Sequence, residues 1–179
     1  LTIAPILLPL VVAAPQLLVR KKRPRTVLAL SIVSCAALGA CAAALMFAVS
    51  ADGALAAVYR IGDWPARFGI VLVADRLSVL MLLLTAVLAL ALLPCALGRW
   101  QQPGGPVQPM FQFLLMGLNG TFLTGDLFNL FVFFEVLLAA TYGLALHRPG
   151  ARRVSAGLHY IAVNLLASML FLVGVSLIF

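Results

Sequence analysis

Charge is scarce in this chain. Of its 179 residues only 9% are Asp, Glu, Lys or Arg, while 64% are hydrophobic and mean hydropathy is +1.16. Soluble domains carry about 25% charged residues. Too little polar side chain is present to cover a water-facing surface, so a soluble globular domain is excluded, and so is disorder. Cysteine is also scarce. Three are too few for a disulfide scaffold, and Cys35 and Cys41, six residues apart in one apolar run, face different sides of a helix. With Cys95 near the end of another run, they read as small apolar packing residues. No CxxC, Cys/His cluster, or nucleotide, flavin or quinone motif is present, so no metal and no cofactor is expected. Lysine is limited to Lys21 and Lys22, and no basic residue falls deep in any apolar run.

What is abundant is long apolar sequence. A membrane span needs about 20 apolar residues. Six such runs are present, at about 2–19, 27–49, 71–97, 109–124, 127–146 and 154–179. The expected fold is therefore all-α, a polytopic membrane helix bundle forming one membrane domain over 1–179. The first run is not a signal peptide, because its basic cluster at residues 20–25 follows the apolar stretch instead of preceding it. The chain starts on Leu1 and ends on Phe179 inside an apolar run, which suggests a piece of a longer reading frame.

The net charge of +7 would suggest nucleic acid in a soluble protein. Here the basic residues lie between apolar runs and mark a cytoplasmic face instead, so nucleic-acid binding is not expected. The loops at 20–25, 98–108 and 147–153 hold nine Lys or Arg, against three (Arg60, Arg67 and Arg76) on the other side. That asymmetry places the N-terminus outside. The longest loop, about 50–70, carries Gly62-Asp63-Trp64-Pro65, which stops a helix. Its flanks, Ala57-Val58-Tyr59 and Phe68-Gly69-Ile70-Val71, can form short extended pieces, as in a hairpin.

Five acids remain: Asp52, Asp63, Asp75, Asp126 and Glu135. The first two fall in the long outer loop. Asp75 precedes Leu77-Ser78-Val79 and suits the first turn of the third span, where an acid complements the helix dipole. Glu135 is different. It lies eight residues into the fifth span, roughly 12 Å deep in a ~30 Å hydrocarbon core. A carboxylate facing lipid there costs several kcal/mol, so Glu135 must face a bundle interior or a hydrated cavity. Low dielectric penalises the charged form of an acid, a balance that a reversible proton carrier exploits. Glu135 is thus a candidate proton relay; the alternative is a protonated side chain that hydrogen-bonds between helices.

Four residues are candidate support. Tyr142 lies on the same helical face as Glu135. In the sixth span Tyr160, Asn164 and Ser168 form a polar stripe, either a packing seam or part of a wet path. His159 adjoins the stripe and reads first as an interface histidine, second as a relay member. In the fourth span Gly117, Gly120, Thr121 and Thr124 let another helix approach closely.

The stretch Thr124-Gly125-Asp126-Leu127-Phe128-Asn129-Leu130-Phe131-Val132-Phe133-Phe134-Glu135-Val136, with Tyr142-Gly143 after it, closely resembles the fifth helix of the D-type subunits of the multisubunit monovalent cation/proton antiporters of the Mrp, Mnh or Pha type. Residues 62–78 are similar to that family's second-to-third helix connection. These subunits are homologous to antiporter-like membrane subunits of respiratory complex I. The resemblance implies a bundle of about fourteen helices with inverted repeats, of which six are present here. It matches Glu135 to the family's fifth-helix glutamate, whose partner lysine would lie beyond Phe179. It also implies a bacterial inner-membrane location, partner subunits in a hetero-oligomeric complex, and exchange of protons against Na⁺ or K⁺ by a secondary transporter that is not an enzyme. Two alternatives stand beside it: a proton-pumping subunit of an NADH-quinone oxidoreductase or membrane hydrogenase, and a passive structural anchor.

Overall fold

A computed structural model describes residues 1–19, 24–51, 56–60, 69–99, 107–147 and 150–178. Six helices and one hairpin follow in chain order: α1 (Ala4–Val19), α2 (Pro24–Ala51), β1 (Ala56–Arg60), β2 (Val71–Asp75), α3 (Arg76–Arg99), α4 (Val107–Leu123), α5 (Leu127–Ala145) and α6 (Ala151–Ile178). The architecture is the helical bundle that the apolar runs imply. Four helices are long and apolar enough to cross a membrane, over Arg25–Ser50, Arg76–Leu93, Leu127–Ala145 and Arg152–Ile178. The helices α1 and α4, at 16 and 17 residues, are shorter. The basic residues 20–23 and 148, and the acids Asp52 and Asp63 with Trp64, lie outside the described residues.

One expected boundary is corrected. The apolar run at 71–97 predicts helix throughout, yet its first five residues pair as β2 against β1, antiparallel, with Tyr59 opposite Leu72. β-branched Val71 and Val73 suit an extended backbone. Asp75 then ends the strand and caps α3, accepting a 2.6 Å hydrogen bond from the Ser78 backbone N–H. The hairpin thus forms, with its second strand downstream of the expected 68–71. Leu72 also bridges to Thr124, and Gly125 N–H donates to the Val71 carbonyl at 2.9 Å. The hairpin therefore ties the start of α3 to the α4–α5 junction.

The packing order is α3, α2, α1, α4, α5, α6, with α4 at the centre. Two apolar cores fill it. Leu72, Val79 and Leu123 meet Ile6 and Leu45 in one, while Cys35, Leu38, Ala86 and Leu115 form the other. The approach of α5 to α4 depends on the small residues noted in the sequence. A Cβ at Gly117 would lie 2.7 Å from the Leu137 backbone nitrogen, and one at Gly120 would collide with the Phe133 ring. Both positions are buried, so only glycine allows this spacing.

Candidate functional site

Helix α5 starts abruptly. Thr124 and Gly125 leave α4, and Asp126, in extended conformation, accepts from the Asn129 N–H at 3.3 Å. This cap fixes where α5 begins and hence the level of Glu135, eight residues and about 12 Å along the axis. One face of α5 meets α4; the opposite face meets α6.

Two aromatic pairs define the α5–α6 seam. Phe131 stacks on Phe171 with centroids 6.2 Å apart, and Tyr142 meets Tyr160 edge-on at 5.6 Å. The pairs are eleven residues apart on each helix, in opposite order, so the helices run antiparallel. Glu135 lies between them on α5, four residues from Phe131 and seven from Tyr142. Asn164 lies between them on α6, four residues from Tyr160 and seven from Phe171. The resulting register separates Glu135 and Asn164 by about 4.5 Å along the axis.

Both residues carry an unsatisfied buried atom. Glu135 Oε1 and Asn164 Nδ2 are shielded from solvent, and neither has a hydrogen-bond partner. A buried polar atom left unpaired costs about 1–3 kcal/mol, so such atoms require an explanation. Beside the seam lies a cavity of about 470 Å³, lined by Thr121, Phe131, Phe134, Asn164, Ser168 and Phe171 among others. Its walls are mainly apolar. Glu135 is not among the lining residues, since it is turned about 100° from Phe134 around the helix.

The sequence candidates therefore divide. Tyr142, Asn164 and Ser168 come to the α5–α6 seam, and Glu135 lies between its two aromatic pairs along α5. Tyr142 spends its ring on Tyr160. His159 does not join them. It is exposed, and its Nδ1 lies 2.9 Å from the Ser155 carbonyl of the preceding turn. Among the described residues no group of three His, Cys, Asp or Glu is arranged to hold a metal.

Sequence reasoning missed a second polar set, between α1, α2 and α4. Gln16 Nε2 donates to Ser31 Oγ at 3.0 Å, and Ser31 donates to Gln108 at 2.9 Å. Ser34 donates to Gln112 at 3.0 Å, and Asn119 Nδ2 donates to the Pro5 carbonyl at 2.9 Å. Gln108, Gln112 and Asn119 recur four and seven residues apart on one face of α4, and that periodicity was the available signal.

Residues 124–179, which contain the whole α5–α6 seam, match the family described as NADH:quinone oxidoreductase/Mrp antiporter, TM. The whole chain is 56% identical to the D-type subunit of a probable K⁺/H⁺ antiporter of Rhizobium meliloti and 38% identical to the D-type subunit of the Na⁺/H⁺ antiporter of Alkalihalophilus pseudofirmus. The chain is thus similar to members of the NADH:quinone oxidoreductase/Mrp antiporter family. It spans about a third of the length of these relatives, 34% and 36%. Two solved structures share the fold of this chain. The Mrp complex from Dietzia sp. DQ12-45-1b matches 97% of the chain at 35% identity and TM-score 0.86, over 33% of its own chain. The membrane-bound sulfane sulfur reductase, an archaeal respiratory membrane complex, matches 98% at 25% identity and TM-score 0.89, over 36% of its own chain. The chain is thus a membrane protein with bacterial relatives.

Proposed function

We propose that the chain is part of a membrane subunit of a monovalent cation/proton antiporter, and that Glu135 carries the proton. The unpartnered Glu135 Oε1, buried midway along an apolar helix, is the observation that carries this reading. An acid at that depth is functional by default, because a carboxyl group among apolar spans is costly to keep. Asn164 offers an amide donor at nearly the same level, and Ser168 and Tyr142 flank it. Water entering the seam can link these groups to Glu135, since bridging waters serve almost as well as direct hydrogen bonds. No basic residue occupies a mid-helix position, so the cation that would balance an ionised Glu135 comes from further chain or from a partner subunit. His159, exposed and turned to its own helix, is left out of the relay.

All six helices cross the membrane in this proposal, including the shorter α1 and α4, with the N-terminus outside and the basic loops cytoplasmic. A cysteine placed at position 22 should react only with a probe supplied from the cytoplasmic side. Labelling from outside alone would reverse the topology.

Likeness to a respiratory membrane complex favours a second reading, in which redox energy drives the same glutamate. Everted vesicles separate the two. With the full-length protein and its accompanying subunits, added Na⁺ or K⁺ should dissipate an imposed ΔpH without any electron donor. Proton movement that needs an electron donor and ignores the cations would instead assign the chain to a redox pump. A passive anchor would leave both signals unchanged when Glu135 is replaced.

A further inference from the structure

We propose that the cleft between the end of α5 and the start of α6 is a binding site for the head of an anionic phospholipid. A cavity of about 440 Å³ opens there, lined by Leu144, Leu146, His147, Arg153, Gly157 and Tyr160. The lining is amphipathic: a guanidinium and an imidazole, the rest aliphatic or aromatic. Arg152 and Arg153 are exposed in the first turn of α6, which contains no acid. The residue before that helix is Gly150, at φ +156, which has no side chain to cap the free N–H groups. The helix dipole therefore adds to the basic charge at the cavity.

Nothing acidic offsets that charge from the same helices. Asp126 lies at the far end of α5, and Glu135 lies ten residues, about 15 Å, back from Ala145. Both α5 and α6 are long and apolar enough to cross a membrane, so the end of α5 and the start of α6 lie at headgroup level. Basic pockets between membrane helices at that level suit anionic lipid heads.

The lining selects lipid over a soluble anion. Free phosphate would satisfy Arg153 and leave the Leu144 and Leu146 walls against water. A phospholipid places its phosphate at Arg153 and its glycerol and first acyl carbons along those walls, toward Tyr160. A zwitterionic lipid brings its own ammonium to a basic mouth and is the weaker ligand.

The test uses the full-length protein, purified with its accompanying subunits, stripped of lipid in a neutral detergent, and titrated with phosphatidylglycerol under native mass spectrometry. Phosphatidylglycerol should bind saturably and in preference to phosphatidylcholine. Arg153→Gln should weaken it about fivefold, the share of one basic residue at an anionic lipid surface. Arg153→Lys should retain most of the binding, and millimolar inorganic phosphate should not displace the lipid. Equal binding by Arg153→Gln, equal retention of phosphatidylcholine, or displacement by phosphate alone would each overturn the proposal. Arg153 is exposed, so its replacement leaves the fold intact, and an unchanged melting profile without lipid verifies this.

Discussion

Asn119 of α4 donates its Nδ2 to the carbonyl of Pro5 on α1, 2.9 Å away and 114 residues earlier in the chain. The carbonyl needs that donor. In an α-helix Pro5 would be bonded by the N–H four residues on, but that residue is Pro9, which has none. Asn119 supplies the missing proton from a neighbouring helix, and α1 keeps its proline without an orphaned acceptor.

Asn119→Leu should therefore destabilise the protein by about 1–3 kcal/mol, the cost of an unpaired buried carbonyl. Pro9→Ala restores an intrahelical donor to Pro5. In the Pro9→Ala background the same Asn119→Leu change should cost less, and thermal melts of the four variants in detergent give the coupling. Equal losses in both backgrounds would mean that the amide merely packs.

The α4–α5 contact makes a steric prediction. Gly117→Val brings a side chain onto the Leu137 backbone, which cannot rotate away as a side chain can. Overpacking of this kind costs typically about 1–3 kcal/mol. Gly39→Ala is the control, since a Cβ there lies at an ordinary 3.7 Å from Ala86 Cβ. Membrane-integrated yield and melting temperature should fall for Gly117→Val and hold for Gly39→Ala.

Asp75 makes a pH prediction. Hydrogen bonds from the Ser78 hydroxyl and backbone N–H hold its carboxyl below the usual carboxylate range. A lowered pKa in the folded state favours folding above the unfolded value, near 3.9. That contribution is lost as pH falls through the folded value. Between pH 5 and 8 Asp75→Ala should weaken the start of α3 by about 0.5–1 kcal/mol, toward the low end of cap losses because the site is partly exposed. The gap between the variant and the native protein should close as pH falls through that lowered value. A pH-independent gap would show that the side chain contributes packing alone.

Much of this was legible in the sequence for definite reasons. Apolar run length marks helices directly, and the position of Glu135 along α5 follows from counting residues after Asp126. Asp75 marked the first turn of α3, but the strand before it was not legible, because Ile70-Val71-Leu72-Val73 is apolar in either a strand or a helix. Gln16, Gln112 and Asn119 were hidden for the opposite reason. They lower the hydropathy of runs that are otherwise apolar, and only their partners on other helices explain their burial. At the candidate site the i, i+4, i+8 spacing of Tyr160, Asn164 and Ser168 exposed the stripe. The burial of Glu135 Oε1 is visible only once α6 is docked on α5.

Glu135 itself decides between relay and glue. A proton carrier must change charge during turnover. Glu135→Gln keeps the size and hydrogen-bonding capacity of a protonated acid but cannot ionise. In the full-length complex it should abolish cation-driven ΔpH dissipation while leaving assembly intact. Glu135→Asp keeps the acid on a stem shorter by about 1.5 Å, a gap that a water can bridge, so it should retain partial activity. The packing reading predicts the reverse order. Gln would then serve nearly as well as a protonated Glu, and its added donor could even pair where Oε1 now has no partner. Asn164→Leu adds an independent arm. It removes the unpaired amide, and if that amide holds a water against Glu135, cation-driven ΔpH dissipation should fall at unchanged assembly. Full exchange in Glu135→Gln at native assembly levels, with full exchange also in Asn164→Leu, would leave the seam as packing and return the proton path to the rest of the complex.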